Sequence, residues 1–232
     1  MRDADREILL AAQYQNIRLL KFDRLLSPVP EDEPSGYRSD QWIRPSSDFL
    51  SGESFSALCM FYGEQLYDEL DVPIGLIHTA WGGTIVEAWS PPEVIQECGV
   101  EDTGTDDAAN HNNYLWNSMV NPLVRMSIKG AIWYQGESNT DHNRDIYDCT
   151  FPSMIRSWRR RWHEGTAGDT EENFPFGFVQ LAPNRYTIQL SWPILRWKQT
   201  ASYGYVPNEL MENVFMAVAI DDDIDLHPKN KR

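Results

Sequence analysis

The sequence predicts an α/β fold: one doubly wound domain with a mainly parallel sheet. Three observations carry this reading. First, Ala131-Ile132-Trp133-Tyr134 is a near-continuous apolar run that breaks into the polar turn Gln135-Gly136-Glu137-Ser138-Asn139. Such a run suits a strand buried on both faces, and Gly136 lets the chain turn sharply after it. Second, residues 54–70 show the helical period, Asp71-Val72-Pro73 stops it, and the apolar strand Ile74–His78 follows, leading into Trp81-Gly82-Gly83-Thr84. Helix, proline stop, strand and glycine turn make half of a βαβ unit. Third, the apolar segment from Val214 to Ile220 runs into an Asp-rich stretch that closes on His227-Pro228. All three polar segments follow strands, and ligands of open α/β sheets bind at the carboxyl ends of strands.

At 232 residues the chain is long enough for one α/β domain with a substantial core, so residues 1–232 are read as a single domain. The net charge of -15 argues against a nucleic-acid partner, which needs a basic face. An anionic small molecule is still compatible, because one Arg in a cleft can hold it. No apolar run approaches the roughly 18–20 residues of a membrane span. Met1-Arg2-Asp3-Ala4-Asp5 is charged from the start, unlike a secretory signal. Cys59, Cys98 and Cys149 lack metal spacing. Their odd number fits free buried thiols or one disulfide with one thiol left over, and the free-thiol reading is preferred. His78, His111, His142, His163 and His227 are likewise scattered without ligand spacing, so neither a metal nor another cofactor is expected. Most of the nine Trp and ten Tyr are assigned to core packing, though aromatic clefts are also common in carbohydrate-binding proteins.

Residues 3–14 read as a helix and 16–22 as a strand, and Pro28, Pro30, Pro34 and Gly36 mark a loop over 27–41. The helix of 54–70 carries its apolar face on Phe55, Leu58, Cys59, Tyr62, Leu66 and Leu70, with Ser51 or Ser54 as cap. Pro91-Pro92 starts a short helix. Residues 99–113 are acidic and polar and read as a surface loop. A helix begins at Tyr114 and is limited or kinked by Pro122. In the helix of 145–162, Tyr147, Phe151, Ile155, Trp158 and Trp162 form the buried side. Arg156, Arg159, Arg160 and Arg161 are assigned to dipole and solvation chemistry near its end rather than to an anion site. A strand over 176–182, a helix over 192–203 and a strand over 213–220 complete the pattern.

These segments point to ester hydrolysis, which needs a nucleophile, a base and an oxyanion hole. His227 is the natural base, with Asp222, Asp223 and Asp225 as candidates to orient its ring. Gly82, Gly83 and Thr84 are candidates to offer backbone N–H groups to an oxyanion, and Gln135 its side-chain amide. Glu137 holds the histidine, positions substrate or caps the next turn. The nucleophile is missing: there is no Gly-x-Ser-x-Gly elbow. Ser138 follows a strand without a strain signature, Ser51, Ser54 and Ser56 suit a helix start, and Cys149 suits packing.

As a set, these residues resemble the sialate O-acetylesterases of the SGNH-hydrolase superfamily. The matching blocks are Pro73–Ile77, Trp81–Thr84 with Glu87–Ser90, Leu115–Asn117 with Asn121–Leu123, and Trp133–Asn139. Further matches are Cys149–Pro152, Phe174–Gly177 with Gln180-Leu181, Arg196-Trp197 with Gln199-Thr200, and His227-Pro228. The resemblance covers nearly the whole chain in order. It implies a three-layer α/β/α fold, incomplete here at both ends, and a serine esterase without metal that removes O-acetyl groups from sialic acids or related sugars. It also implies a secreted or lysosomal location. Gly82-Gly83 matches the family's second block and Gln135 its third. Asn117, Gly136 and Glu137 join them as substrate-binding candidates, and His227 matches the catalytic histidine. The family's serine lies in a Gly-Gln-Ser-Asn-Met-like block N-terminal to the region matched by Asn16–Leu19, and that block is absent. The position three before His227 is Ile224, flanked by Asp223 and Asp225. The expectation is therefore a fragment that lacks its nucleophile and is inactive alone, with Gln135, His227 and Gly83 at one edge of the sheet. A catalytically dead carbohydrate-binding relative and an acetylxylan-type esterase are the rival readings.

Overall fold

The computed structural model describes residues 3–34, 41–51, 55–101, 107–183 and 190–220. These residues form two compact units. The first takes the described residues up to Arg24 and from Pro34 to Ala80, and the second takes Leu25–Glu33 and those from Trp81 onward. Among the described residues, the three ladders between strands are all parallel, in keeping with the predicted α/β class.

The first unit contains α1 (Ala4–Ala11), β1 (Ile17–Lys21), α2 (Ser47–Ser51), α3 (Ala57–Leu70) and β2 (Ile74–His78). β1 lies parallel to β2 with Ile17 opposite Ile74, and Leu19 bridges antiparallel to Ile43. α3 is capped by Ser56, whose hydroxyl accepts from the Cys59 N–H at 3.3 Å, and not by Ser51; Ser54 lies outside the described residues. Its buried stripe is turned in part from the predicted one: Phe55 and Cys59 pack against the core as predicted, but Met60, Gly63 and Glu64 are the buried residues and Leu70 is 57% exposed. Gly63 explains the turn, because a Cβ there would come within 2.4 Å of Leu76 Cδ1 on β2. Ala11, Ile17, Leu19, Met60 and Leu76 are the centre of this core.

The second unit contains α4 (Pro92–Glu97), β3 (Ala131–Trp133), α5 (Tyr147–Gly165), β4 (Phe176–Gln180), α6 (Ser191–Lys198) and β5 (Val214–Val218), with the strands in the order β3-β4-β5. β3 is half-buried rather than buried on both faces, because it ends this described sheet. Tyr147, Phe151, Ile155, Trp158 and Trp162 of α5 are buried as predicted, against Trp116, Trp133, Phe174 and Phe176. The helix expected from Tyr114 tightens and widens instead: a π-helical turn at Trp116–Val120 runs into a 3₁₀ turn at Asn121–Leu123. Part of the expected surface loop is built inward, since Asp107 caps a 3₁₀ turn at Ala108–Asn110 and Ala109 is buried.

Two sequence expectations are corrected here. Cys98 and Cys149 form a disulfide joining the end of α4 to the start of α5, so Cys149 is a cross-link and not only packing. The pairing joins residues 51 apart, which no spacing rule could reveal. Cys59 is the free thiol, pushed up to about 12 by burial. Replacing Cys98 and Cys149 by serine is expected to cost about 2–4 kcal/mol by freeing the unfolded chain. Unchanged urea midpoints for variant and wild type would refute this. The arginine cluster also does more than complement a dipole, because α5 continues to Gly165 and places it mid-helix. Arg159 is buried on backbone carbonyls, Arg156 pairs with Glu97, and Arg160 and Arg161 share Glu93. No described helix is long and apolar enough to cross a membrane.

Candidate active site

The Gly82-Gly83 turn is exposed, and Gly83 adopts φ 81°, a left-handed conformation that favours glycine. A Cβ at either glycine would meet nothing within 4 Å. Among the described residues, no group accepts from the N–H of Gly82 or Gly83. The turn therefore presents free backbone donors, and the residues around it hold it in shape. The Thr84 hydroxyl donates to the Trp81 carbonyl at 2.7 Å and accepts from Trp89 Nε1 at 2.9 Å. The Asn110 amide donates to the Gly83 carbonyl at 3.2 Å, and its oxygen accepts from the Ile85 N–H at 2.9 Å.

The structure brings Gln135 to this turn. Its Nε2 donates to the Thr84 carbonyl at 3.0 Å and to Asn139 Oδ1 at 2.6 Å, and its Oε1 accepts from the Tyr147 hydroxyl at 3.0 Å. Both amide hydrogens are committed, so Gln135 braces the turn here, and donation to an oxyanion requires exchanging one of these bonds. Asn139 is the hub behind it. Its oxygen also accepts from the Val86 N–H at 2.9 Å, and its amide donates to Glu87 Oε2 at 2.9 Å and to the His142 carbonyl at 3.1 Å. Glu87 is fully buried. Burial raises its carboxyl above the ordinary value, and the Asn139 bond opposes that rise. Burial, together with the charges of Glu87 and Glu137, pushes the Tyr147 phenol well up, so it stays a neutral donor.

Gly136 needs its glycine for two reasons. It sits at φ 135°, and a Cβ would come within 3.0 Å of Leu195 Cδ2 and 3.2 Å of Leu181 Cδ1. The Gln199 amide donates to the Gln135 carbonyl at 3.3 Å, which ties α6 to the same turn. Glu137 caps the next turn with its backbone: its carbonyl accepts from the N–H and hydroxyl of Thr140 at 3.1 and 2.7 Å. Asn117 holds structure at its position, its amide donating to the Ser27 carbonyl at 3.1 Å while its own carbonyl accepts from the Glu31 N–H at 2.9 Å. His227, Asp225 and Asp223 lie outside the described residues, as do Asp222 and Ile224.

Sequence reasoning missed Glu87, Asn139, Tyr147, Gln199 and Asn110 as members of this network. Tyr147 was legible as core, but nothing in a helical stripe marks its hydroxyl. Glu87 carried a usable signal: a lone acid in the apolar context Ile85-Val86-Glu87-Ala88-Trp89. Among the described residues, no cluster of three or more His, Cys, Asp or Glu side chains is placed to hold a metal ion.

Free N–H donors on a glycine turn, locked to a buried amide network after a parallel strand, suit acyl-group chemistry. The chain belongs to the carbohydrate esterase family of sialic acid-specific acetylesterases, whose model matches residues 21–208. It is 42% identical to the human sialate O-acetylesterase over 249 aligned positions, which cover 99% of this chain and 47% of that protein. The mouse sialate O-acetylesterase is 36% identical, over 99% of this chain and 50% of its own length. The crystal structure of a carbohydrate acetylesterase from Xanthomonas citri superposes on the whole chain with TM-score 0.82 and 28% identity, covering 49% of that protein. The chain thus spans about half the length of the relatives it matches.

Proposed function

We propose that this chain forms the oxyanion side of an esterase that removes O-acetyl groups from sialic acids or related acetylated sugars by a serine–histidine mechanism. The observation that carries this reading is the Gly82-Gly83 turn, with unclaimed N–H groups and a carbonyl at Thr84 pinned by Gln135. As a serine oxygen adds to the acetyl carbonyl, that carbonyl oxygen gains negative charge, and the two glycine N–H groups receive it. His227 takes the serine proton and later returns it to the departing sugar hydroxyl, with Asp223 or Asp225 holding its ring. A secreted or lysosomal setting fits the Cys98–Cys149 disulfide.

Six of the described serines already have other engagements, which argues against each of them as the nucleophile. Ser90, Ser118, Ser153, Ser157 and Ser202 donate to carbonyls or carboxylates, and Ser56 caps α3. The 232-residue chain is therefore expected not to turn over acetyl esters. The test is the purified chain incubated with an activated acetyl ester and a serine-reactive fluorophosphonate probe, beside a heat-killed control. Turnover above the control, with one serine labelled, would place the nucleophile in this chain, with Ser138 the first suspect. In a longer protein that supplies the serine, His227→Ala is expected to abolish most turnover.

A further inference from the structure

Glu87 is a buried carboxyl that the ester chemistry above does not use. It sits in the 3₁₀ turn Val86–Trp89, just past the Gly82-Gly83 turn. Oε2 accepts from Asn139 Nδ2 at 2.9 Å. Oε1 is closed to water and lacks a well-formed hydrogen bond, as does Asn143 Nδ2. Among the described residues no cation pairs with Glu87. The elements packed on its turn bring few charges. α5 brings the Tyr147 phenol, held neutral, and Asp148, paired with Lys198 at 3.0 Å. The turn after β3 brings Glu137 and His142. The turn at Ala108–Asn110 ends at His111, and Trp116–Val120 has no ionisable side chain. A carboxylate buried without a cation, on so few donors, takes up its proton above the usual carboxylate range.

Asn139 carries the effect of that charge to Gln135. Donating to a carboxylate polarises an amide and makes its oxygen a better acceptor. Asn139 Oδ1 accepts from Gln135 Nε2 at 2.6 Å, while the other Gln135 hydrogen goes to the Thr84 carbonyl at 3.0 Å. An ionised Glu87 therefore tightens the shorter of the two bonds on the Gln135 amide, and a protonated Glu87 relaxes it.

We propose that Glu87 is a positioning residue for Gln135: through Asn139 it holds one Gln135 amide hydrogen when ionised and releases it toward the acyl oxygen when protonated. The inference rests on the esterase reading above, which supplies that oxygen. It puts the donating state of Gln135 on the acid side of the Glu87 titration.

NMR tests this on the purified chain without requiring turnover. The chain is isotopically labelled in its Gln and Asn side-chain amides and its Glu carboxyls and followed from pH 5 to pH 10. In the wild type, the Gln135 amide and the Glu87 carboxyl are expected to titrate together, with one midpoint above the ordinary carboxylate range. The Gln135 hydrogen bound to Asn139 should move upfield as the pH falls and its bond weakens. Glu87→Gln, uncharged and of the same shape, should lose the titration and hold the Gln135 signals at the wild-type acid position. A Gln135 amide that stays flat, or a midpoint different from that of Glu87, would overturn the proposal, and both are read in the wild type even if Glu87→Gln fails to fold. A titration that survives in Glu87→Gln would belong to another group, Tyr147 or His142 first, and would overturn it as well. Each of these failures leaves the esterase reading standing, because that reading is tested by acetyl-ester turnover in a longer protein that supplies the serine.

Discussion

Asn139→Ala is expected to destabilise the second unit by roughly 3–5 kcal/mol at pH 8, because four buried hydrogen bonds each lose a partner at about 1 kcal/mol or more. Asn139 is fully buried and makes four side-chain hydrogen bonds, to Val86, Gln135, Glu87 and His142. Alanine removes the largest of the hydrogen-bond contributions that hold the buried Glu87 carboxyl, leaving those of its own backbone and of Asn143. The deficit should depend on pH. The folded-state pKa of Glu87 is already raised by burial, so the folded chain holds its proton more tightly than the unfolded chain. A raised carboxyl contributes stability below the ordinary carboxylate range and loses it as pH climbs through the raised value. Removing the Asn139 bond raises that value further, so the loss on substitution should be larger at pH 8 than at pH 5. Adding Glu87→Gln to Asn139→Ala should erase much of this pH dependence. Urea unfolding followed by the fluorescence of Trp89, Trp133 and Trp158 reads the effect. A variant as stable as wild type at pH 8 would show that the network is ornamental.

Arg159→Met is expected to cost a comparable 3–5 kcal/mol, for a different reason. Arg159 is 7% exposed and its guanidinium serves three backbone carbonyls. Nε and Nη2 reach Phe174 at 3.0 and 2.7 Å, Nη1 reaches Glu212 at 2.7 Å, and Nη2 also reaches Asn213 at 3.0 Å. Those residues lead into β4 and β5, so one side chain fastens both strand entries to α5. Burial lowers the guanidinium to about 10, which still leaves it charged at neutral pH. Methionine keeps the apolar stem and deletes every donor. Lysine should rescue poorly, because a point charge does not reproduce a planar fork that reaches three acceptors. Hydrogen exchange should show the N–H groups of β5 opening faster in Arg159→Met. A stability within about 0.5 kcal/mol of wild type, the range of ordinary surface changes, would count against this role.

The two glycine turns show what was legible and what was not. Gly82-Gly83 and Gln135-Gly136 stood out because a glycine pair and a polar break after an apolar run are local signals, written in neighbouring residues. Their meeting was not legible. The bond from Gln135 to Thr84 spans 51 residues, and no local pattern encodes a partner at that distance. The same limit hid the Cys98–Cys149 link and the carbonyls that receive Arg159, all long-range pairings.

What the sequence alone determined about this protein is therefore its local grammar: strand and helix types, most stops and caps, the aromatic stripe of α5 and the family resemblance carried by short blocks. Apolar period, proline and glycine act within a few residues, so they are readable in order. Tertiary structure alone decided which polar groups are buried together. It turned the inner face of α3 from Leu70 to Gly63, made a hub of Asn139, committed the hydrogens of Gln135 and left Nη1 of Arg196 unpaired. The physical reason is desolvation. A side chain gains or loses a hydrogen-bond partner only when the fold removes water from it, and that depends on elements far away in the chain.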